Sequence, residues 1–244
     1  MDRLIYTALT GLQRSQESQG VTAQNLANAG TPGFRREMAA LSAGFLSPSG
    51  AALTARAQSG GESPHDLLNP GRVETTGNPL DIAMDGGDWL AVADAGGEEA
   101  LTRRGDLRLS ADGALLTGDG LPVMGVDGQI RIATGLQAVR IARNGAIETR
   151  TADDAPYVEV ARLKLVTPAP DTLERGPDGL FRTDAAVADE AATVTVGALE
   201  RSNVAPAAAL VELVEQSRRF ELQTKLITTA RDMDEAGASL MRIQ

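Results

Sequence analysis

The sequence predicts an α+β protein in which N- and C-terminal helices pack together and an all-β, mostly antiparallel domain is inserted between them. Residues 1–28 and 206–244 carry apolar side chains at helical spacing, whereas the region between them alternates short apolar runs with turn dipeptides. This organisation suits a protein whose ends pack against copies of themselves or close relatives. The predicted boundaries are an N-terminal helical segment (1–35), an extended linker (36–77), a β domain (78–199) and a C-terminal helical segment (200–244).

One apolar stripe predicts the N-terminal helix. Its members fall within about a 100° arc at 100° per residue, as a single buried helix face requires. They are Met1, Ile5, Ala8, Leu9, Leu12, Gln16, Gln19, Ala23 and Leu26. Because buried amides need hydrogen-bond partners, the two glutamines indicate a helix–helix interface rather than a dry core. Gly30 and Pro32 then end the helix.

The C-terminal helix is apolar on two opposite sides. It begins after Pro206, which fits a first helical turn. One side consists of Leu213, Phe220 and Ile227, and the other of Leu222, Leu226, Met233 and Leu240. A helix of this kind needs two sets of neighbours, and the first helix of the same chain can supply only one. We therefore expect other subunits to cover the second side.

The linker and the β domain are predicted from small residues and turns. Residues 36–77 are rich in Ala, Gly, Ser and Pro and include the only histidine, His65, which we expect to be solvated. Between Pro79 and Gly197, Asp-Gly or Asn-Gly pairs predict hairpin turns, since both residues tolerate positive φ. The predicted strands cover residues 81–84, 89–93, 107–110, 114–117, 129–133, 139–142, 146–149 and 158–166.

Composition excludes several functional classes. The 244 residues contain no cysteine, so the chain has no disulfide, thiolate metal site or cysteine nucleophile. The net charge of −10 argues against nucleic-acid binding, and no apolar run approaches the length of a membrane span. Residues 1–46 and 200–244 are nearly neutral, so the acidic surplus lies in the middle, where 13 basic residues face 23 acidic ones.

No pattern in the sequence indicates catalysis. The chain lacks GxSxG, P-loop, HExxH and dinucleotide-binding signatures, and a single histidine is a poor basis for Ser–His or metal chemistry. The Asp-Gly pairs do not match a calcium loop, and Trp89 is expected to anchor the β core. We predict no catalytic, cofactor-binding or metal-binding residues and no small-molecule substrate. Arg103-Arg104 and Arg218-Arg219 are expected to pair with nearby acids at the surface.

Five motifs, in the same order along the chain, resemble those of the bacterial flagellar axial proteins, the rod and hook family. Gln24–Asn28 with Thr31-Pro32-Gly33-Phe34 resembles its ANNLANxxTxGF signature. The other four are Asn78–Met84 (NxLDxAI), Leu101–Leu107 (YTRxGxF), Gly113–Gly125 (GxLVTxxGxPVLG) and Leu199–Val204 (LExSNV). Within the family, Met1–Ala8 and Arg218–Lys225 are most similar to a subunit of the proximal rod. Asp88 and Leu101 depart from the family pattern, which prefers Gly and Tyr there.

The resemblance implies a structural subunit of the flagellar basal-body rod, the torque-transmitting shaft that crosses the periplasm. The implied partners are other copies, neighbouring proximal and distal rod proteins, and the flagellar type III export apparatus, with no cofactor, nucleic acid or membrane insertion. The N-terminus has no recognisable cleavable signal, in agreement with that export route. The terminal helices would form an axial helical domain, in which heterologous contacts that do not close generate a helical assembly.

Specific residues follow from these inferences. The expected subunit-interface positions are Ile5, Leu9, Leu12, Leu26, Asn28, Leu213, Phe220, Leu222, Leu226, Ile227, Met233 and Leu240. The turn that carries the family motif is Thr31, Pro32, Gly33 and Phe34, and Gly33 is expected to need a backbone conformation that a Cβ would hinder. The alternatives are a distal rod protein, a secreted β-domain adhesin or carbohydrate-binding module, and a hydrolase with two catalytic acids.

Overall fold

A computed structural model describes residues 2–38 and 68–241, except residues 134, 153, 170, 171 and 185. For helix residues 2–8, 10, 230 and 234–241 only the backbone is described. The described chain forms two compact units. The helical unit contains residues up to 29, 36–38 and those from Val204 onward, and the β unit contains Gly30–Arg35 and Leu68–Asn203.

Two long helices make up the helical unit: α1 (Asp2–Ala27) and α2 (Pro206–Met241). They run antiparallel, because Gln216 Nε2 lies 3.0 Å from both Ser18 Oγ and Thr22 Oγ1, whereas Gln223 lies beside Gly11. Neither helix is apolar enough along its described length to cross a bilayer.

The contact between α1 and α2 is a polar seam. Its α1 side has buried or half-buried small residues at the alternating four- and three-residue spacing of a coiled coil: Gly11, Ser15, Ser18 and Thr22. Its α2 side follows the same spacing with Ala209, Leu213, Gln216, Phe220, Gln223 and Ile227. Gln216 is 8% exposed, and its Oε1 has no hydrogen-bond partner.

Within the single chain, the predicted buried stripe of α1 is therefore not the side that faces α2. Gln16 and Ala23 are exposed and Leu9 is 45% exposed, while Gln19 is half-buried. The side facing α2 lies about one residue, or 100°, away from the predicted stripe. Small side chains there let the two helices approach closely, and an apolarity pattern cannot reveal such a side.

The β unit consists of short strands joined by tight turns. In chain order they are β1 (Val73–Thr75), β2 (Ile82–Met84), β3 (Trp89–Ala93), β4 (Glu99–Thr102), β5 (Leu107–Leu109), β6 (Leu115–Thr117), β7 (Met124–Gly125), β8 (Gly128–Gln129), β9 (Ala138–Ile141), β10 (Ala146–Arg150), β11 (Val158–Arg162), β12 (Leu165–Val166), β13 (Glu174–Arg175), β14 (Phe181–Arg182), β15 (Val194–Val196) and β16 (Ala198–Glu200). All strand pairs among the described residues are antiparallel.

These strands form one larger sheet and several small ones. The largest has the order β12-β3-β4-β14-β13, and a three-stranded sheet has the order β11-β10-β9. Two-stranded pairs are β1-β16, β2-β15, β5-β6 and β7-β8. The main core contains Ile82, Leu90, Val92, Leu115 and Ile147, each at most 1% exposed. A second cluster places Trp89 against Phe181, with ring centroids 4.7 Å apart.

Most of the turns share one geometry. In the turns that end at Gly113, Gly120, Gly145 and Gly179, the glycine N–H donates to the carbonyl three residues earlier. Each of these glycines has φ between 76° and 93°. This is a type I turn followed by a left-handed residue. The hairpins were predicted, but only the glycines take positive φ: no described Asp or Asn does.

The structure differs from the sequence prediction at several places. The predicted strand over 158–166 is divided into β11 and β12, which belong to different sheets. Residues 68–77 lie within the predicted linker, yet they belong to the β unit, where β1 pairs with β16. The predicted strand over 129–133 is reduced to β8. Its continuation alternates partners, because Ile130 N donates to Val123 O and Ile132 N to Gly113 O, so no regular ladder forms. Most of the predicted linker, including His65, lies outside the described residues.

We expect Gln216→Met to weaken the α1–α2 contact by about 1–2 kcal/mol. The thioether keeps the length of the side chain but removes the buried amide nitrogen that donates to Ser18, Thr22 and Glu212. Far-ultraviolet circular dichroism during thermal unfolding of the full chain would measure the change. Gln13→Met, at an exposed α1 position, is the control and should leave the midpoint unchanged. Equal midpoints for Gln216→Met and Gln13→Met would contradict the seam.

Candidate functional site

The predicted interface residues of α2 differ in exposure from one side to the other. Those facing the polar seam are half-buried: Leu213, Phe220 and Ile227. Val211, Leu222, Leu226 and Met233 are each 61–66% exposed and fall within about a 60° arc, which we name the outer stripe. No described residue covers it. Exposed apolar side chains grouped on one side of a helix mark a candidate interaction site.

The α1 positions are less uniform. Leu9 is 45% exposed, whereas Leu12 and Leu26 are half-buried. Asn28 closes the helix, since its backbone N–H and its Nδ2 both donate to Gln24 O, at 3.1 and 3.0 Å. Only the backbone is described at Ile5 and Leu240.

Asn25, which was not among the predicted site residues, fixes the chain after α1. It is 4% exposed, its Nδ2 donates to Glu37 O at 2.7 Å, and Glu37 N donates to its Oδ1 at 2.8 Å. The side-chain amide of Asn25 thus forms two hydrogen bonds with the backbone of Glu37, one as donor and one as acceptor, as a residue of a neighbouring β-strand would. This contact explains why an asparagine suits the first position of the Asn25-Leu26-Ala27-Asn28 motif.

The predicted Thr31–Phe34 turn lies in the β unit. Thr31, Pro32 and Phe34 are half-buried and Gly33 is buried. Gly33 N donates to Glu200 O at 2.7 Å, and Gly33 has φ of 67°. A Cβ on Gly33 would lie 2.2 Å from Arg103 O, so the turn needs glycine both for its backbone conformation and for space.

A buried ion triad adjoins this turn. Arg35 Nη1 lies 2.5 Å from Glu200 Oε1, and Arg103 Nη2 lies 2.6 Å from Glu200 Oε2. Glu200 is 1% exposed and both arginines are 3% exposed. Gly71 N also donates to Glu200 Oε1 at 2.8 Å. One carboxylate therefore joins three segments that are distant in the chain.

Backbone carbonyls satisfy the remaining donors of Arg103. Its Nη1 donates to Asp88 O and to Gly86 O, and its Nη2 donates to Met84 O at 3.0 Å. Trp89 lies beside the guanidinium, with 5.9 Å between Arg103 Cζ and the ring centroid. These contacts hold the turn between β2 and β3, which includes Asp88, where the family prefers Gly.

Arg35 is held less completely. Its Nη1 donates to Asn69 O at 2.7 Å, while its Nε is buried without a hydrogen-bond partner. Burial lowers the pKa of Arg35 to about 10, against the opposing attraction of Glu200. The guanidinium therefore stays charged at neutral pH.

The triad was missed from the sequence. Arg103 was expected to pair at the surface, which is wrong because it is buried, whereas its neighbour Arg104 does pair with Asp106 at 2.7 Å on a more exposed face. The sequence held one signal for the triad, since each of its charged residues lies in or directly after a family motif. Arg35 directly follows Phe34, Arg103 belongs to Leu101–Leu107 and Glu200 belongs to Leu199–Val204.

No described group of three or more acidic or histidine side chains could hold a metal ion.

Comparison with known proteins identifies the class. Three family models match: Flagella basal body rod protein over residues 5–35, Flagellar hook protein FlgE/F/G D1 domain over 83–149, and Flagellar basal body rod FlgEFG protein C-terminal over 195–240. These regions include α1 with the Thr31–Phe34 turn, much of the β unit, and Glu200 with α2. The chain belongs to the family of flagellar basal-body rod proteins.

Within this family the chain is similar to the FlgF proteins. It is 37% identical to flagellar basal-body rod protein FlgF of Salmonella typhimurium, over 98% of each chain. It is also 37% identical to FlgF of Escherichia coli K12, over 95% of each. FlgG of Agrobacterium fabrum is 28% identical over 95% of this chain and 96% of its own. The resemblance inferred from the motifs is thereby confirmed.

We expect Glu200→Gln to destabilise the β unit by about 3–5 kcal/mol, because two buried arginines lose the charge that compensates them. Glu74→Gln is the control: it removes a similar carboxylate from an exposed pair with Arg201 and should cost less than about 1 kcal/mol. Urea unfolding followed by the fluorescence of Trp89 measures both. Equal midpoints for the two variants would show that the triad has no special role.

Gly33→Ala should lower the stability of the β unit more than Gly77→Ala does. Both glycines have positive φ, 67° and 79°, so both variants carry a similar backbone cost of about 1 kcal/mol. Only at Gly33 does the new methyl group meet a backbone carbonyl; nothing lies within 4 Å of a Cβ at Gly77. Thermal unfolding compares the two, and equal losses would mean that the close approach to Arg103 does not matter.

Proposed function

We propose that this chain is a structural subunit of the flagellar basal-body rod, in its proximal part, and that it is not an enzyme. Its relatives FlgF of Salmonella typhimurium and Escherichia coli are named as basal-body rod proteins, and the similarity covers nearly the whole chain. The distal rod alternative is less favoured, because the FlgG relative is 28% rather than 37% identical. An adhesin, a carbohydrate-binding module and a hydrolase are not supported by any relative named above.

The terminal helices are the proposed assembly element, an axial helical domain. The observation that carries this proposal is the outer stripe, four large apolar side chains that are at least 61% exposed on α2 although α1 already packs on another side of that helix. Burying each such side chain against a neighbouring helix contributes about 1.5–3 kcal/mol. Repeated along a rod, this contact would join many subunits without an active site.

The polar seam complements the outer stripe. Within one chain, α1 and α2 meet through small residues, glutamines and the half-buried Leu213, Phe220 and Ile227. The large apolar side chains Leu9, Leu222 and Leu226 remain exposed for contacts between chains. The helical unit would therefore gain further stability on assembly, when helices of other subunits cover these side chains.

The proposed partners are further copies of this chain, neighbouring proximal and distal rod proteins, and the flagellar export apparatus through which the subunit reaches the periplasm. The β unit has its own core and its own ion triad, and we propose that it serves as a rigid body in the rod. Torque would pass through packed helices and through the chain segments that meet at Glu200.

We expect Leu226→Asp to block incorporation into the rod without unfolding the free chain. Leu226 is 66% exposed in the single chain, so the new charge stays solvated there, but assembly would bury it unpaired at a cost of several kcal/mol. Soft-agar motility and electron microscopy of purified basal bodies would measure assembly. Circular dichroism of the purified protein would test folding.

Ser217→Asp is the matched control. Ser217 is exposed on the same helix but lies outside the outer stripe, so the same new charge should leave motility near the wild-type level. Motile cells carrying normal rods with Leu226→Asp would contradict the role of the outer stripe in assembly.

A further inference from the structure

A groove of about 500 Å³ opens beside β11 in the β unit. The Val126-Asp127 turn, residues 159–162 of β11, Ala188 and Glu190 line it, and we name it the β11 groove. On this side of β11 the described chain offers only one backbone hydrogen bond to the strand, from Val126 N to Arg162 O at 3.1 Å. Neither the ion triad nor the outer stripe contributes a residue to it.

Apolar side chains are concentrated at this groove. Val126 is 55% exposed and Val160 is 49% exposed, and both line it. Val158 and Val187, which adjoin lining residues in the chain, are 58% and 75% exposed. The other large hydrophobic side chains exposed among the described residues of the β unit are Val73 and Leu109. A cluster of this kind beside a concave site marks a binding surface.

The rim of the groove carries uncompensated negative charge. Glu159 pairs with Arg162 at 3.1 Å, whereas Asp127 and Glu190 form no ion pair within the described part of the chain. Arg162 is therefore already neutralised, and two free carboxylates flank the apolar floor. Such a rim attracts a positively charged partner and repels an acidic one.

A second copy of this chain fits the groove poorly. The middle of the chain carries the whole acidic surplus, so two β units would bring like charges together. In addition, the pairing of β11 with β10 shifts register between Ile147 and Glu148, which places a bulge at Val160. A bulge bends an edge strand and hinders regular edge-to-edge pairing with an identical strand.

We propose that the β11 groove binds a basic segment of a different protein. Lysine or arginine side chains of that segment contact Asp127 and Glu190, and an apolar side chain between them packs on Val126 and Val160. The contact is lateral and heterologous, which makes it distinct from the helix packing proposed for rod assembly. Ionic attraction guides the segment to the groove, and the valines stabilise the complex once water is displaced.

Binding of short synthetic peptides to the purified full chain tests this proposal. We expect a peptide of alternating lysine and valine to bind and a peptide of alternating glutamate and valine not to bind. Asp127→Lys with Glu190→Lys should weaken binding about tenfold or more, and Val160→Ser should also weaken it. Fluorescence anisotropy at low and physiological salt measures the affinity, and circular dichroism verifies that each variant is folded.

A matched double variant separates the groove from general acidity. Glu98→Lys with Asp184→Lys changes the net charge equally at exposed positions outside the groove, and it should leave the affinity within about twofold of the wild type. Equal loss of affinity in the two double variants would overturn the proposal, as would equal binding of the two peptides or no binding of either.

A photo-crosslinking residue at position 160 tests the same contact in basal bodies, with position 109 as control. We expect position 160, and not position 109, to link to a different protein, and this link should disappear with Asp127→Lys and Glu190→Lys. A link to a second copy of the chain, or no link, would overturn the proposal. This experiment alone rests on the proposed function, so a chain absent from basal bodies would contradict that function while the peptide experiment still tests the groove.

Discussion

The buried carboxylate of Glu200 is the constraint on which the β unit depends. Two guanidinium groups and one backbone N–H converge on it at 2.5–2.8 Å, in a site where none of the three charged residues is more than 3% exposed. A buried ion pair of this kind adds little stability compared with a well-packed apolar cluster, but removing one partner leaves an uncompensated charge. The triad therefore specifies one arrangement of the chain more than it adds net stability.

The triad also joins the two chain segments that connect the β unit to α1 and α2. Arg35 stands at the end of the segment that follows α1, and Glu200 stands a few residues before α2 begins, so the segments that lead from one helix and to the other meet within the β unit. Gly33 N strengthens this meeting by donating to Glu200 O. In a shaft that transmits torque, both of these segments would be held at a single charged centre.

The helical unit follows a different physical principle. Its internal contact combines small residues and glutamines with Leu213, Phe220 and Ile227, and one glutamine carbonyl is left without a partner, whereas Leu222, Leu226 and Met233 point away from that contact. The apolar surface of α2 is thus only partly covered within one chain, although most helix stability in proteins comes from burial of an apolar face. The β11 groove differs from both, because it combines exposed valines with free carboxylates and lies on an edge strand.

Local patterns in the sequence determined much of the fold. The α+β class and the turns were predicted because apolar spacing and Asp-Gly pairs act over a few residues, and β3 was predicted with its observed bounds, Trp89–Ala93. The motifs were sufficient for the family, and apolarity on two sides of α2 indicated the outer stripe.

Tertiary structure decided what depends on residues far apart in the chain. Nothing near Glu200 in the sequence reveals that Arg35 and Arg103 bind it, because 165 and 97 residues separate the charges and only the fold brings them together. The side of α1 that faces α2 could not be predicted from the sequence either. Gly11, Ser18 and Thr22 are small enough to let the helices approach closely, but they do not appear in a pattern of apolar residues. Strand β1 has no pattern of its own and exists because β16 supplies its hydrogen-bond partners. The periodicity of apolar residues shows which side of a single segment is buried. Ion pairs, contacts between small residues and strand pairing depend on two segments, so neither segment alone predicts them.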